Sequence, residues 1–231
     1  MRDRRARFAI AGQLRLLTPL ALAWTLAVGG LTAIGVQDAV PAEHLFLDPA
    51  ALAGAPWYSG VVSNLGILAW TVAATASAGG AWVAGRTGRP SAMWFLAVGS
   101  AVTTLLLLDD LLQLHSTLLP RLLGLPKPAA LALVVGPAVV WCVQWRHEIA
   151  RTRWVILLAA ALGSLASVAI DLVLQPTGST ALLAEDGSKF LGVVAWSVFF
   201  VTTAVDITRS TIAAALDSRS TPSPQRVTAD S

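Results

Sequence analysis

Charge is what this chain has least of. Asp, Glu, Lys and Arg make up 13% of its 231 residues, against roughly 25% in soluble globular domains. With 55% apolar residues and a mean hydropathy of +0.69, that scarcity excludes a water-facing surface over most of the chain and points to an integral membrane protein. Cysteine is nearly absent. The lone Cys142 excludes an internal disulfide and, in an apolar run, reads as a small packed residue. Histidine occurs only at His44, His115 and His147, without the H-E-x-x-H pattern. A basic-aromatic stripe and a nucleic-acid module are lacking too. The pI near 9.7 therefore does not indicate a nucleic-acid partner. Its charges flank apolar runs, as topology signals do.

What is present is a series of six apolar runs, at about 16–36, 59–84, 91–114, 129–145, 154–174 and 190–207. Each approaches the ~20 residues that cross ~30 Å of hydrocarbon at 1.5 Å per residue. The expected fold class is all-α, a polytopic membrane protein with six transmembrane helices in one bundle. Residues 1–209 would form the transmembrane domain and 210–231 a cytoplasmic, largely disordered tail, Pro/Ser-rich from Ser218. With the N-terminus in the cytoplasm, inner segments hold 13 Lys or Arg residues and outer segments three, namely Arg121, Lys127 and Lys189. The positive-inside rule then puts both termini in the cytoplasm. The first run is longer than a signal-peptide core and lacks a clear cleavage site, so it reads as a retained span. Pro19 and Pro137 are compatible with a 3+3 arrangement, but no internal repeat is evident.

Within this apolar background, Asp109 and Asp110 stand side by side in a leucine-rich run. An ionised carboxylate near a bilayer centre costs on the order of 2.5 kcal/mol or more, so such pairs carry a use or a partner. The orientation places Asp109, Asp110, His115, Asp171, Glu185, Asp186, Lys189, Ser63 and Asn64 at one outer membrane level. Helical spacing puts Ser164, Ser167 and Asp171 on one face, and Glu185, Lys189, Gly192 and Trp196 on another. Adjacent helical residues point about 100° apart, so Asp109 and Asp110 need not serve one ligand. Lys189 is the lysine placed to compensate them.

The oxygen and nitrogen donors suit a divalent metal such as Zn²⁺, with Asp110, His115 and Asp171 as the candidate ligands. The alternative is an ion-pair network of Asp110, Asp171 and Lys189. Gly163-Ser164-Leu165-Ala166-Ser167 lacks the last glycine of a nucleophile elbow and reads as small-residue helix packing. The loop from Gln37 to Trp57, with Asp38, Glu43, His44 and Asp48, is an interfacial connector or a cover for an outer pocket.

Three stretches carry a resemblance. Ser63 to Trp70 resembles SNxGxLxW, Leu108 to His115 resembles LDDxxxLHE with Ser116 in place of the final Glu, and Glu185 to Trp196 resembles EDGxKFxGxxxW. Together they resemble an uncharacterised bacterial family of multi-spanning membrane proteins. The resemblance implies a bacterial plasma membrane and groups Asn64, Asp109, Asp110, His115, Glu185, Asp186, Lys189 and Trp196 as one unit. It implies no activity.

Three functions fit these residues. The first is an outer-leaflet enzyme, a metal-assisted hydrolase or lipid-modifying enzyme. Its catalytic candidates are Asp109, Asp110, His115 and Glu185, with Asn64, Asp171, Asp186, Lys189 and Trp196 as the surrounding polar cluster. The second is a small proton- or cation-coupled transporter. The third is a non-catalytic assembly partner locked by polar contacts. The lipid bilayer is the one partner the sequence names.

Overall fold

A computed structural model describes residues 18–37, 39–40, 49–170 and 179–220. The described residues are helical, without strands: α1 (Thr18–Val36), α2 (Pro49–Leu52), α3 (Val61–Arg86), α4 (Pro90–Leu112), a π-helical turn (Leu114–Leu118), α5 (Leu119–Leu123), α6 (Lys127–Gln144), α7 (Arg146–Ile149), α8 (Trp154–Ala169) and α9 (Ser179–Ser220). Helices are the solution for apolar chain in lipid, because they satisfy every interior backbone N–H and C=O within one segment. α3, α4, α6 and the Leu183–Ala214 part of α9 are long and apolar enough to cross a membrane. Trp24–Ala33 and Trp154–Ala169 are apolar but shorter.

The chain divides into two units, 1–60 and 61–231. In the first, α1 presents apolar side chains such as Trp24, Leu26 and Val28 at its surface. The second holds α3 to α9 and is described by itself below. There α3 packs against α4 and α9, α8 packs on α9, and α6 lies against α4.

Aromatic residues fill the centre of this second unit. Trp141, Phe95, Phe199 and Phe200 are fully buried, with Leu96 in the same cluster. Phe95 stacks on Trp141 at 5.2 Å, and Phe200 lies 5.3 Å from Trp141 and 5.4 Å from Trp196. Gly99 of α4 makes room for them, since a Cβ there would sit 2.6 Å from the Phe200 ring. The Trp141 indole N–H donates to the Phe95 carbonyl at 3.1 Å, so its polar edge is satisfied inside the core.

The two ends of this unit differ in charge. At the basic end, Arg89 reaches from the α3–α4 turn to α9. Its Nη1 donates to Ile207 O, Ser210 Oγ and Thr211 Oγ1 at 3.3, 2.7 and 2.9 Å. Arg153 pairs with Asp206 at 3.3 Å. The acidic end, where α4 finishes and α9 carries Glu185 to Lys189, holds the candidate site.

Three boundaries differ from the sequence reading. α9 runs from Ser179 through Ser220, starting well before the apolar run at 190, and Glu185, Asp186 and Lys189 lie within it, as the helical spacing of Glu185 and Lys189 with Gly192 and Trp196 expects. The expected tail from 210 likewise begins as helix, and 221–231 lie outside the described residues. Asp, Glu and Lys at these positions do not break a helix, because their propensities are close to those of other straight-chain or small polar residues. The third apolar run, expected to reach 114, ends its α-helix at Leu112. There is no proline or glycine at that point. Gln113 itself turns the chain, with φ 52° and ψ 48°.

Candidate acid–base site

Gln113 is the origin of the site's geometry. It is the one non-glycine position among the described residues with positive φ. Its left-handed conformation caps α4, with its N–H on Asp109 O, and lets the π-helical turn fold back over the helix end. His115 thereby returns to Asp109, six positions earlier. Its backbone N–H donates to Asp109 Oδ1 at 2.8 Å, and its Nδ1 lies 2.8 Å from Oδ1 and 2.7 Å from Oδ2. The Asp109 residue is buried, at 6% exposure, whereas the His115 side chain is 21% exposed. A side chain held at positive φ costs roughly 1 kcal/mol that glycine would not. Gln113→Gly is expected to keep the Asp109–His115 contact and raise stability by about 0.5–1 kcal/mol. The β-branched Gln113→Val is expected to lower it, as thermal unfolding in micelles would read.

Asp110 turns to other partners. Its Oδ1 accepts from Lys189 Nζ at 2.6 Å, and its Oδ2 accepts from the Trp70 indole N–H at 2.8 Å. This carboxylate therefore joins α4 to α9 and α3. The side chain of Asp110 is 12% exposed and that of Lys189 45%. The expected divergence of adjacent helical residues is realised: one carboxylate holds a histidine and its neighbour a lysine.

One layer deeper, the Trp196 indole N–H donates to Thr103 Oγ1 at 3.0 Å, and the same hydroxyl donates to Gly99 O at 2.7 Å. Trp70 and Trp196 meet edge to face, 5.9 Å between centroids. The polar site thus rests on the aromatic core through two indoles. Trp70 was not among the sequence-derived site residues. Its signal was present as the last position of the Ser63–Trp70 stretch, but an indole in an apolar helix reads as packing until its partner is known.

The other candidates are placed as follows. Asn64 and Asp186 are exposed and hydrogen-bond to neither carboxylate, and Glu185 is half-buried. Asp171 lies outside the described residues, as do Asp38, Glu43, His44 and Asp48 of the first loop. Of the candidate metal ligands, Asp110 faces Lys189 and His115 faces Asp109, so those two do not converge. Among the described residues no group of three or more His, Cys, Asp or Glu side chains could hold a metal ion. Zinc sites use at least three protein ligands.

The small-residue reading of Gly163–Ser167 is realised in packing. A Cβ on Gly163 would lie 2.8 Å from Gly192 N and 2.9 Å from Ser188 O, and one on Gly192 would lie 2.9 Å from Ser164 N. α8 and α9 therefore touch backbone to backbone, just below Lys189.

No curated protein and no solved structure matches this chain. A family does: over residues 16–203, more than half its length, the chain matches the model described as Domain of unknown function (DUF8692), and it belongs to that family.

Proposed function

We propose that the protein is a six-span plasma-membrane enzyme with both termini in the cytoplasm, whose Asp109–His115 pair performs acid–base chemistry on a lipid at the outer leaflet. The contact of His115 Nδ1 with both oxygens of Asp109 carries the reading. An ionised carboxylate only accepts, so neutral His115 carries its proton on Nδ1 and keeps Nε2 as a base. Nε2 would take a proton from water or a hydroxyl nucleophile. Asp109 would stabilise the resulting imidazolium, which returns the proton to the leaving group. Lys189, half-exposed and already anchored on Asp110, would meet the anionic part of the lipid. The basic residues concentrated at the opposite end support the outward orientation. The closely packed aromatic core beneath the site supports action at one face over passage through the bundle. With two candidate ligands facing other partners, the residues favour proton transfer by His115 over a metal-bound water.

The test is direct. Proteoliposomes of phosphatidylethanolamine and phosphatidylglycerol, incubated with chelator, are expected to yield headgroup- or acyl-cleaved products by mass spectrometry. His115→Ala should slow their formation about a hundredfold or more. Nitrogen chemical shifts of His115 should report the Nδ1–H tautomer, lost in Asp109→Asn. Unchanged lipids with the natural chain would defeat the reading. They would leave the second one, an assembly partner locked by polar contacts, which the Asp110–Lys189–Trp70 link across three helices favours.

A further inference from the structure

The basic end contains a cavity of about 410 Å³, lined by Pro90, Ser91 and Trp94 of α4, Gln144 and Trp145 at the end of α6, and His147 and Glu148 of α7. Its volume lies within the ~300–1,000 Å³ of small-molecule sites. It stands where α4 begins and α6 ends, at the ends of two membrane-type helices, the level of lipid headgroups. Tryptophans at that level are common as interfacial anchors. Two further features are not explained by anchoring. The Trp145 indole N–H is buried without an acceptor, a deficit of about 1–3 kcal/mol. Glu148 is a half-buried carboxylate in an interface otherwise rich in arginine. Its Oε1 accepts from Ser91 Oγ at 2.9 Å and faces Arg151 Nη1 at 3.5 Å, which leaves Oε2 for a ligand.

We propose that this cavity binds the phosphoethanolamine headgroup of a membrane lipid, with its ammonium at Glu148 and Trp94 and its phosphate toward His147. A primary ammonium donates charge-assisted hydrogen bonds to a carboxylate and is drawn to an indole face. A choline ammonium has no N–H to give, and a glycerol headgroup has no cation. Basic side chains at a membrane surface favour the phosphate. The cavity is thus selective for an amine-bearing zwitterion rather than for negative charge alone. The site lies at the opposite end from Asp109 and His115 and is independent of their chemistry.

Native mass spectrometry of the full chain in detergent, offered equal phosphatidylethanolamine, phosphatidylcholine and phosphatidylglycerol, tests it. Phosphatidylethanolamine is expected to be retained about tenfold over the other two, and Glu148→Gln to remove that preference. Quenching by brominated phosphatidylethanolamine gives a second measurement on the unaltered cavity. The quench should exceed that by brominated phosphatidylcholine, and the difference should disappear in Trp94→Phe. Glycerophosphoethanolamine, which shares the headgroup but has no acyl chains, should fail to displace the lipid at equal concentration. Equal retention of the three lipids, preference for phosphatidylglycerol, a preference unchanged in Glu148→Gln, or displacement by the soluble headgroup would each overturn the proposal.

Discussion

Gly192→Ala is expected to destabilise the protein by about 2–3 kcal/mol, the upper part of the range for overpacked cores. The added methyl would approach Ser164 N and Oγ at 2.9 Å and Ala160 O at 3.0 Å. Two of these three atoms are backbone and cannot rotate away, so α8 would have to move as a body. Gly163→Ala meets Gly192 N, Gly192 Cα and Ser188 O within 2.9 Å and should cost as much. Gly79, also helical, has no atom within 4 Å of the place a methyl would take. Gly79→Ala should therefore raise stability by up to about 1 kcal/mol through helix propensity. Unfolding in mixed micelles followed by circular dichroism would show opposite signs for the two kinds of change. Equal small effects would mean that α8 and α9 do not pack this closely.

Asp110→Ala is expected to cost about 3 kcal/mol. Removing one partner of a buried ion pair costs roughly 3–5 kcal/mol because the other charge is stranded, and the 45% exposure of Lys189 places this pair at the low end. The indole N–H of Trp70 would be stranded as well. The sign should change when both charges go. Asp110→Leu with Lys189→Met leaves no unpaired charge and should recover most of the loss. A double variant as unstable as the single one would show that the carboxylate has partners beyond Lys189 and Trp70. The same unfolding measurement reads both, and the coupling between the two positions follows from the cycle.

Much of the acidic end was legible in the chain. Two carboxylates among leucines are conspicuous because lipid makes them costly, and Lys189 could be named as the lysine placed to compensate the pair. Close packing of α8 was readable in Gly163 and Ser164, whereas its partner, Gly192 of α9, came from the structure. The pairing of His115 with Asp109 was not. A helix continued to 114 would carry His115 away from Asp109, since six residues is not a return to the same face. The turn depends on Gln113 in a left-handed conformation, which no local signal announces and which tertiary context must hold.

What the sequence alone determined is therefore the class of environment and its polarity: helices fit for lipid, basic residues at one end and acidic ones at the other. Composition and spacing suffice for this, because hydrophobic transfer and charge burial act residue by residue. Which carboxylate met which partner was decided only by the tertiary structure. Hydrogen bonds need alignment within a few tenths of an ångström, and that alignment comes from the turn at Gln113, the glycine contact between α8 and α9, and the aromatic core that sets the spacing of α3, α4 and α9.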